Sequence, residues 1–401
     1  MALNTHMTHL EDAIFLLGIE GTRQSINFLI QMRETLNGTA RQALRTSVKW
    51  DGAPAIFMGQ HPQTKEFIIA KKSLFNKNPL YYTSIQEIQK STDLNAELKS
   101  KFKVAFEGYK NAGIKGIIQG DFLWENKDLK TETIDGEEVI TFHPNTIVYS
   151  VPKDSPMGKK IAASKFGIVW HTTYSGRTLQ NMNASFGVKM PSEPRNGVQF
   201  DAMYNDVSGS ASLTMRESNV LARHLTACGQ NFRKISRSTF ATLNTDEIAM
   251  FATTYTNSFI RANQSPSARD LAAGFLPFIQ DKFNTEVNKR KTPRGRDGQK
   301  KKFMPIIRAV RGIGSAQLLA VFTMYYHLQQ AKDLLVKKLN SASFIRTFLK
   351  TKDGWKVTGQ EGFVAIDRTG TQAVKLVDRL DFSYANFNSD IIKGWQTDLR
   401  R

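Results

Sequence analysis

A lysine followed by a tight turn is the first feature of the sequence that could carry out chemistry. Lys49 stands at the end of a predicted β-strand, and Asp51 and Gly52 form a turn directly after it. A lysine amine becomes a nucleophile once it has lost its proton, so this position could form a covalent intermediate. A Lys-x-Asp-Gly match also occurs by chance in roughly one chain in ten of this length. Taken alone, the motif is better explained as a hairpin turn with a surface lysine.

Further short motifs follow Lys49 in order along the chain. They are Gln119-Gly120-Asp121, Phe166-Gly167-Ile168-Val169, Glu361-Gly362-Phe363-Val364 and Val374-Lys375-Leu376. The carboxylate of Glu361 offers oxygen ligands, which suit Mg²⁺ better than they suit softer metals. The order of the motifs makes the series specific, since each of them is short enough to arise by chance.

This ordered series resembles the nucleotidyltransferase motifs of ATP-dependent DNA and RNA ligases and of mRNA capping enzymes, with an RNA-ligase-like, phage-type character. The resemblance covers the chain from about Lys49 to Leu179 and from Trp355 to Arg379. It implies an α+β fold with an ATP-grasp-like nucleotidyltransferase core of antiparallel sheets. It also implies that Lys49 attacks the α-phosphorus of ATP to form lysyl-AMP, with ATP and Mg²⁺ or Mn²⁺ as cofactors.

The resemblance assigns the remaining motif residues to one nucleotide pocket. Glu361 and Asp121 are the implied metal ligands, although Asp121 stands where these families usually have glutamate. Lys375 would favour the neutral amine of Lys49 through charge repulsion while neutralising phosphate. The full set of implied nucleotide-binding residues is Asp51, Gly52, Lys72, Asp121, Phe166, Glu361 and Lys375. In this set Phe166 would stack on the purine, and Lys72 would contact the ribose or a 5′ end.

Charge and composition favour a polyanionic partner. The 401 residues contain 55 Lys and Arg against 36 Asp and Glu, a formal net charge of +19, which projects a positive field. The single cysteine, Cys228, excludes a disulfide framework and a cysteine-rich zinc site and fits a reducing compartment. Neither a signal peptide nor a membrane span is indicated, so we expect a cytoplasmic monomer without a membrane partner, in the host cytoplasm if the source is a phage.

Hydrophobic periodicity divides the chain into two kinds of region. Helical spacing from Leu10 to Leu36 precedes short β-rich runs between Ser47 and Val188, and strand patterns return in the last fifty residues. Long helical patterns fill the stretch between, including one helix predicted over Ser315 to Leu349. We therefore predict a nucleotidyltransferase (adenylation) domain formed by residues 1–209 plus 351–401, interrupted by an inserted all-α domain, residues 210–350. The 26 residues after Lys375 are too few for a carboxyl-terminal OB fold.

The inserted region contains the strongest local concentration of positive charge. Between positions 289 and 302 there are eight basic residues and one acidic residue, Asp297, a net +7 over fourteen residues. We predict a mobile connection between helices that grips nucleic-acid phosphates through salt-sensitive contacts. Its basic residues are Lys289, Arg290, Lys291, Arg294, Arg296, Lys300, Lys301 and Lys302.

These features predict an ATP-dependent polynucleotide ligase that joins 5′-phosphate and 3′-hydroxyl ends through lysyl-AMP. RNA is the favoured substrate, since many RNA ligases combine the core with a helical domain instead of an OB fold. A DNA ligase is the first alternative, and guanylyl transfer also stays open. A nucleic-acid-binding protein that keeps the ligase-like shape without chemistry is the alternative from another class.

Overall fold

The computed structural model describes residues 9–39, 45–202, 212–340, 346–351, 354–358, 361–366, 373–388 and 390–394. Within these ranges the chain is a mixed α+β protein whose strands form three sheets. The predicted α+β class is therefore confirmed at this level. The strands lie in residues 45–201 and 346–376, and the longest helices lie between them.

The first helices begin at the amino-terminal end of the described chain. Helix α1 spans Ala13–Leu16, and α2 spans Gly18–Leu36. Residues 85–109 contain two helices separated by a break, α3 (Ile85–Lys90) and α4 (Ala96–Tyr109). The break has a local cause, because Asn95 caps α4 by accepting a hydrogen bond from the Leu98 amide at 2.9 Å. The short helix α5, Pro156–Ala162, follows later.

Six helices follow one another between residues 215 and 340. They are α6 (Met215–Lys234), α7 (Arg237–Leu243), α8 (Asp246–Arg261), α9 (Ala268–Asn288), α10 (Pro293–Ile313) and α11 (Ser315–Asn340). Helix α11 packs against α6, α9 and α2, and so much of it is buried. In the described ranges no single helix is both long and apolar enough to cross a membrane. Helices α10 and α11 meet that criterion only as a pair, which is bent by 86°.

A six-stranded sheet carries several of the predicted motif residues. Its strands are β2 (Ala55–Gln60), β3 (Phe67–Ala70), β4 (Ile117–Glu125), β8 (Phe166–Ser175), β9 (Asn183–Phe186) and β10 (Gly197–Asp201). The order is β10-β8-β4-β2-β3, with β9 paired to β8, and all pairs except β10 with β8 are antiparallel. One hydrophobic cluster joins a face of this sheet to α3 and α4.

The second sheet has five antiparallel strands in the order β12-β11-β7-β6-β5. Its strands are β5 (Lys130–Ile134), β6 (Glu137–Phe142), β7 (Ile147–Pro152), β11 (Arg346–Thr351) and β12 (Gly354–Thr358). The prediction of one helix from Ser315 to Leu349 is wrong at its end, since α11 stops at Asn340 and β11 follows. Strand β11 buries Phe348 opposite Val148 of β7, so tertiary packing overrides the local helical pattern.

The smallest sheet pairs one strand from the first fifty residues with two strands from the last forty. It contains β1 (Arg45–Lys49), β13 (Gly362–Ile366) and β14 (Ala373–Leu376) in the antiparallel order β1-β13-β14. Lys49 stands opposite Gly362, and Val364 stands opposite Lys375. A last short helix, α12 (Tyr384–Phe387), follows. Motifs more than 300 residues apart in the sequence are thus brought into neighbouring strands.

The main hydrophobic core runs without a break from the helices into the space between the sheets. It includes Leu335 of α11, Met32 of α2 and Leu123 of β4. Trp50, next to Lys49, stacks in this core with its ring 5.0 Å from Tyr149 and 5.0 Å from Phe200. The end of β1 is therefore anchored by a buried aromatic residue directly beside the predicted nucleophile.

Candidate functional site

Lys49, Glu361 and Lys375 meet at the small sheet. The register between β1 and β13 places Lys49 opposite Gly362, and Glu361 immediately precedes that glycine. The Glu361 carboxylate forms an ion pair with the Lys49 ammonium and lies 3.6 Å from the Lys375 Nζ. The Glu361 side chain is 7% exposed, whereas those of Lys49 and Lys375 are 26% and 21% exposed. The structure thus brings three predicted site residues together, and both lysine side chains are partly exposed.

Burial controls the electrostatics of this cluster. Burial raises the pKa of Glu361, and the charges of Lys49 and Lys375 oppose that rise. Burial and the neighbouring Lys49 charge lower the pKa of Lys375, against the attraction of Glu361. Two cations share one carboxylate, so the cluster has an excess of positive charge when all three groups are ionised. Such an excess favours an anionic ligand.

The carboxylate of Asp51 fastens the turn after Lys49 to the second sheet. It accepts hydrogen bonds from the Thr146 amide at 2.6 Å, the Ile147 amide at 2.9 Å and the Asn145 side chain at 2.8 Å. The Asp51 amide donates to the Tyr149 hydroxyl at 2.6 Å. Asp51, which the sequence predicts to bind a nucleotide, therefore holds the turn in place. Through these bonds Asp51 also helps to fix the position of Lys49, two residues earlier in the chain.

Gly52 allows the same turn to approach the six-stranded sheet. A Cβ atom at this position would lie 2.6 Å from the Asp121 Cβ and 3.0 Å from the Phe122 carbonyl oxygen. The backbone after the turn pairs with β4, since the Ala53 amide donates to the Phe122 oxygen at 2.9 Å. The glycine is thus required by close packing, and it brings the predicted residue Asp121 next to the Asp51-Gly52 turn.

Asp121 lies in the middle of the large sheet with its carboxylate partly exposed. It stands opposite Ala55 of β2 and Val169 of β8. One carboxylate oxygen is 3.5 Å from His171 Nε2, and the other ring nitrogen of His171 is 2.7 Å from the Thr172 hydroxyl. His171 is therefore a neighbour of Asp121. Its place in the sequence near Phe166 predicts a residue that lines the pocket, and the structure places it against Asp121.

Tyr149 lies near three carboxylates of the site, and sequence reasoning missed it. Burial raises the pKa of its hydroxyl, and the charges of Asp51, Glu361 and Asp121 act in the same direction. The hydroxyl therefore stays protonated amid three carboxylates. Nothing in the sequence distinguishes Tyr149 from the other apolar residues of its strand.

Phe166 lies on the opposite side of the large sheet. Its ring is 1% exposed and packs 5.9 Å from the Tyr109 ring and 6.2 Å from the Phe122 ring, in the cluster against α4. Side chains alternate between the faces of a strand, and Asp121 precedes Phe122 on β4, so the two point to opposite faces. The structure does not bring the predicted purine-stacking residue together with Lys49.

Lys72 occupies the first position of a 3₁₀ turn, Lys72–Phe75, directly after β3. Its side chain is exposed. Its neighbour Lys71 is held by a hydrogen bond from Nζ to the Asp93 carbonyl at 2.9 Å. The structure leaves Lys72 free to meet a ligand at the rim of the large sheet, but it does not place this lysine among Lys49, Glu361 and Lys375.

Glu361 and Asp121 are the two carboxylates that the sequence predicts as metal ligands. Among the described residues, no group of three or more His, Cys, Asp or Glu side chains is arranged to hold a metal ion. Mg²⁺ at phosphate-transfer sites is bound by one or two carboxylates together with substrate phosphates and water. Glu361 and Asp121 supply oxygen ligands of that type. They suit this shared mode of binding and do not form a cage of protein ligands.

The predicted basic connection is largely helical. Lys289, Arg290 and Lys291 connect α9 to α10, whereas the other five basic residues, from Arg294 to Lys302, lie within α10. The prediction of a mobile loop is therefore wrong for most of its length. Helix α10 starts at Pro293, and the Thr292 hydroxyl accepts a hydrogen bond from the Gly295 amide at 3.1 Å. This proline and cap form a standard helix start, which outweighs the repulsion among the cations.

A buried network of charges joins the amino-terminal segment to the carboxyl-terminal strands, and sequence reasoning missed it. Arg379, which follows β14, donates to the Asp12 carboxylate at 3.1 Å and to the Tyr325 hydroxyl at 3.3 Å. His9 forms a parallel bridge with Lys375. These contacts fix the strand that carries Lys375 against the first residues of the described chain and against α11.

Comparisons with known proteins identify a family but no function. The family model of DUF6267, a family of unknown function, matches residues 4–391, so the chain belongs to this family. Searches of curated proteins and of solved structures find no match.

Proposed function

We propose that this member of the DUF6267 family is a nucleotidyltransferase that forms a covalent lysyl-AMP intermediate on Lys49. The observation that carries the proposal is the meeting of Lys49, Glu361 and Lys375, whose motifs lie at distant places in the sequence. If the Lys-x-Asp-Gly turn were a chance match, the residues of the other motifs would not be expected to lie beside it. On this proposal, the sheets form the ATP-grasp-like core, and α6–α11 form an inserted helical domain.

In the proposed first step, the Lys49 amine attacks the α-phosphorus of ATP. A phosphorus–nitrogen bond forms, the bond from the α-phosphorus to the bridging oxygen breaks, and pyrophosphate leaves with that electron pair. Lys49 must lose a proton for this attack, and the Glu361 carboxylate in contact with it is placed to receive one. Burial raises the pKa of Glu361, which makes it a better acceptor than an exposed carboxylate.

The other residues stabilise charge and position the nucleophile. Lys375 Nζ lies 3.6 Å from the Glu361 carboxylate and would neutralise the charge of the phosphate as the transition state develops. A divalent metal, when bound, would polarise the phosphate oxygens, and Glu361 and Asp121 are the residues that would hold it. Asp51 keeps the turn after Lys49 fixed through its hydrogen bonds to Thr146 and Ile147.

Ligation is the use of this intermediate that the motif series favours. AMP would pass from Lys49 to a 5′-phosphate, and a 3′-hydroxyl would then attack the activated end and expel AMP. RNA ends are the preferred substrate by the resemblance to RNA ligases, and a DNA ligase is the alternative. A nucleic-acid-binding protein without chemistry is the second alternative, and the partly exposed side chains of Lys49 and Lys375 beside Glu361 argue against it.

The test is covalent labelling with ATP carrying a labelled α-phosphate in the presence of Mg²⁺. The protein should acquire label that survives alkali and is released by acid, as a phosphoramidate does, and GTP should label it poorly. The Lys49→Ala and Lys49→Arg variants should acquire none, whereas Lys77→Ala, which removes an exposed lysine outside the site, should label normally. Label on Lys49→Ala would show that another residue is the nucleophile.

A second experiment identifies which nucleic acid the protein joins. The wild-type protein is offered 5′-phosphorylated RNA, single-stranded DNA and a nicked DNA duplex under identical conditions. We expect joined RNA as the main product. Sealing of nicked DNA without RNA joining would establish the DNA-ligase alternative. Failure of adduct formation with both ATP and GTP, combined with nucleic-acid binding, would leave the non-catalytic alternative.

A further inference from the structure

Helix α10 buries one face and presents a row of cations on the other. Phe303, Ile306 and Val310 are buried on the side that faces the neighbouring helices. Arg294, Lys301 and Arg308 are all exposed and are spaced by seven residues. Seven residues make nearly two helical turns, so these three cations share one face and are roughly 10 Å apart along the axis. Counted at 100° per residue, that face lies opposite the buried one.

The positions between these cations are small or flat. Gly298, Pro305 and Gly312 each follow one of the three cations by four residues, which places them on the same face. A Cβ atom on Gly298 or Gly312 would meet nothing within 4 Å, so the surface there is open. A partner could therefore lie close to the helix backbone on this side of the row, whereas the exposed Met304 flanks the other side.

These cations form no ion pair within the described residues, although Asp297 lies between Arg294 and Lys301 on the helix. Lys289 and Arg290 pair with Glu286, at 2.7 Å and 3.6 Å, and Lys300 pairs with Asp297 at 3.6 Å. For the three cations of the row, no carboxylate within the described residues forms an ion pair. Asp297 is also the only acidic residue in the sequence from Pro293 to Ile313.

We propose that the row of Arg294, Lys301 and Arg308 is a track for the sugar–phosphate backbone of single-stranded RNA. The choice of RNA rests on the proposed function, whereas the existence of an anion-binding track rests on α10 itself. Unpaired cations with open spacing are complementary to a chain of phosphates. The row contains no aromatic side chain, so it offers no stacking platform, and binding should be independent of base sequence. This assignment adds Arg308, which lies outside the basic segment singled out in the sequence.

Two triple variants that remove the same charge test this track. The first is Arg294→Gln/Lys301→Gln/Arg308→Gln, and the matched control is Lys289→Gln/Arg290→Gln/Lys300→Gln. Glutamine is a good helix former, and thermal unfolding with circular dichroism checks that both variants keep the wild-type helix content. The measurement is the affinity for a fluorescent single-stranded RNA without ATP, taken over a series of salt concentrations.

We expect the first variant to bind RNA about tenfold more weakly or worse, because three phosphate contacts are lost. Its slope of log affinity against log salt should fall by about 2, since each contact to a single strand contributes roughly 0.7. The control should change both quantities much less, because its cations are already paired. A charge-conserving variant, Arg294→Lys/Arg308→Lys, should keep most of the affinity. A loss seen only in the glutamine variant would then be due to the lost charge and not to a folding defect.

Several results would overturn the track. They are equal losses in the two triple variants, an unchanged salt slope in the first, or no RNA binding by the wild type. Binding to phosphatidylserine vesicles but not to RNA would also overturn it and would assign the row to a membrane surface. Adenylation of Lys49 is measured separately and should be normal in the first variant. A failure of the track would therefore be distinguishable from a failure of the proposed chemistry.

Discussion

The Lys332 ammonium donates a hydrogen bond to the Glu11 carboxylate at 2.7 Å, and both side chains are fully buried. The two residues are 321 positions apart, so the pair joins the start of the described chain to α11. Glu11 also lies 3.4 Å from the Arg379 guanidinium, which follows the strand of Lys375. The folding of the helices and the position of a proposed catalytic lysine are therefore coupled through one buried carboxylate.

We predict that Lys332→Met lowers the free energy of unfolding by about 3 to 5 kcal/mol, because it removes the closest partner of a buried charge. Urea denaturation measures the change. The control is Lys338→Met on the same helix, where the pair with Glu217 is partly exposed, and its cost should be about 1 kcal/mol or less. Equal effects of the two substitutions would contradict a special role for the buried pair.

A second prediction concerns the pH dependence of stability. Burial raises the pKa of Asp333 from its ordinary value of 3.8 to about 7, against the attraction of Lys332. The folded chain thus holds this proton more tightly than the unfolded chain does. The stabilisation is complete below the unfolded pKa and is lost as the pH rises through the folded pKa.

The Asp333→Asn variant stays neutral at every pH and should escape this loss. We expect the difference in unfolding free energy between variant and wild type to shift in favour of the variant as pH rises from about 4 to about 8. Urea denaturation at a series of pH values measures it. The unfolding free energy of the variant itself should still depend on pH, because burial also raises the pKa of Asp12 to about 6. A difference that is constant with pH would show that Asp333 does not titrate in this range.

A third prediction follows from the hydrogen bonds of Asp51. Asparagine is neutral and has one acceptor oxygen where aspartate has two, so Asp51→Asn weakens the bonds from Thr146 and Ile147 by removing their charged acceptor and forces the Asn145 amide to turn over. The unfolding free energy should fall by about 2 to 3 kcal/mol. Adenylation should fall as well, because the turn beside Lys49 loosens. Asp135→Asn, at an exposed turn, is the control and should be nearly neutral, since asparagine tolerates its positive φ of 53°.

The strand and turn character around Lys49 and Glu361 could be predicted from the sequence, because β-rich runs and Asp-Gly turns are local signals. Strand β11 could not be predicted. Its segment, Arg346–Thr351, follows a long helical pattern, and only its pairing with β7 makes it a strand. The cap and proline at Thr292 and Pro293 were local signals of a helix, yet the density of positive charge favoured the interpretation as a loop.

The direction of each side chain in the site was harder to predict than the strands. A shift of one residue in register moves a side chain to the other face of a sheet, and the pairing of β4 with β8 contains two such irregularities, between Gln119 and Gly120 and between Phe122 and Trp124. Phe166 pairs with Glu125 just beyond the second one. Its direction therefore depends on a feature that no sequence pattern reveals. The pairing of Glu11 with Lys332 was equally hidden, because a charged residue in an amphipathic segment is normally expected at the surface.

The last prediction separates chemistry from stability at Lys375. Burial and the Lys49 charge lower the pKa of Lys375, so the fold disfavours the charged form of this lysine. In this environment the charge of Lys375 makes no net contribution to stability. Lys375→Met should therefore leave the free energy of unfolding unchanged or higher near neutral pH, while the rate of adenylation falls by about 100-fold or more through lost charge stabilisation.

Urea denaturation and labelling with ATP measure the two quantities on the same preparation. Lys356→Met, which removes an exposed lysine on β12, should change neither by much. A loss of stability together with activity in Lys375→Met would indicate that the lysine side chain supports β14. Normal labelling would remove Lys375 from the proposed site. Slow labelling in a protein of undiminished stability is the result expected of a cation that acts on phosphate.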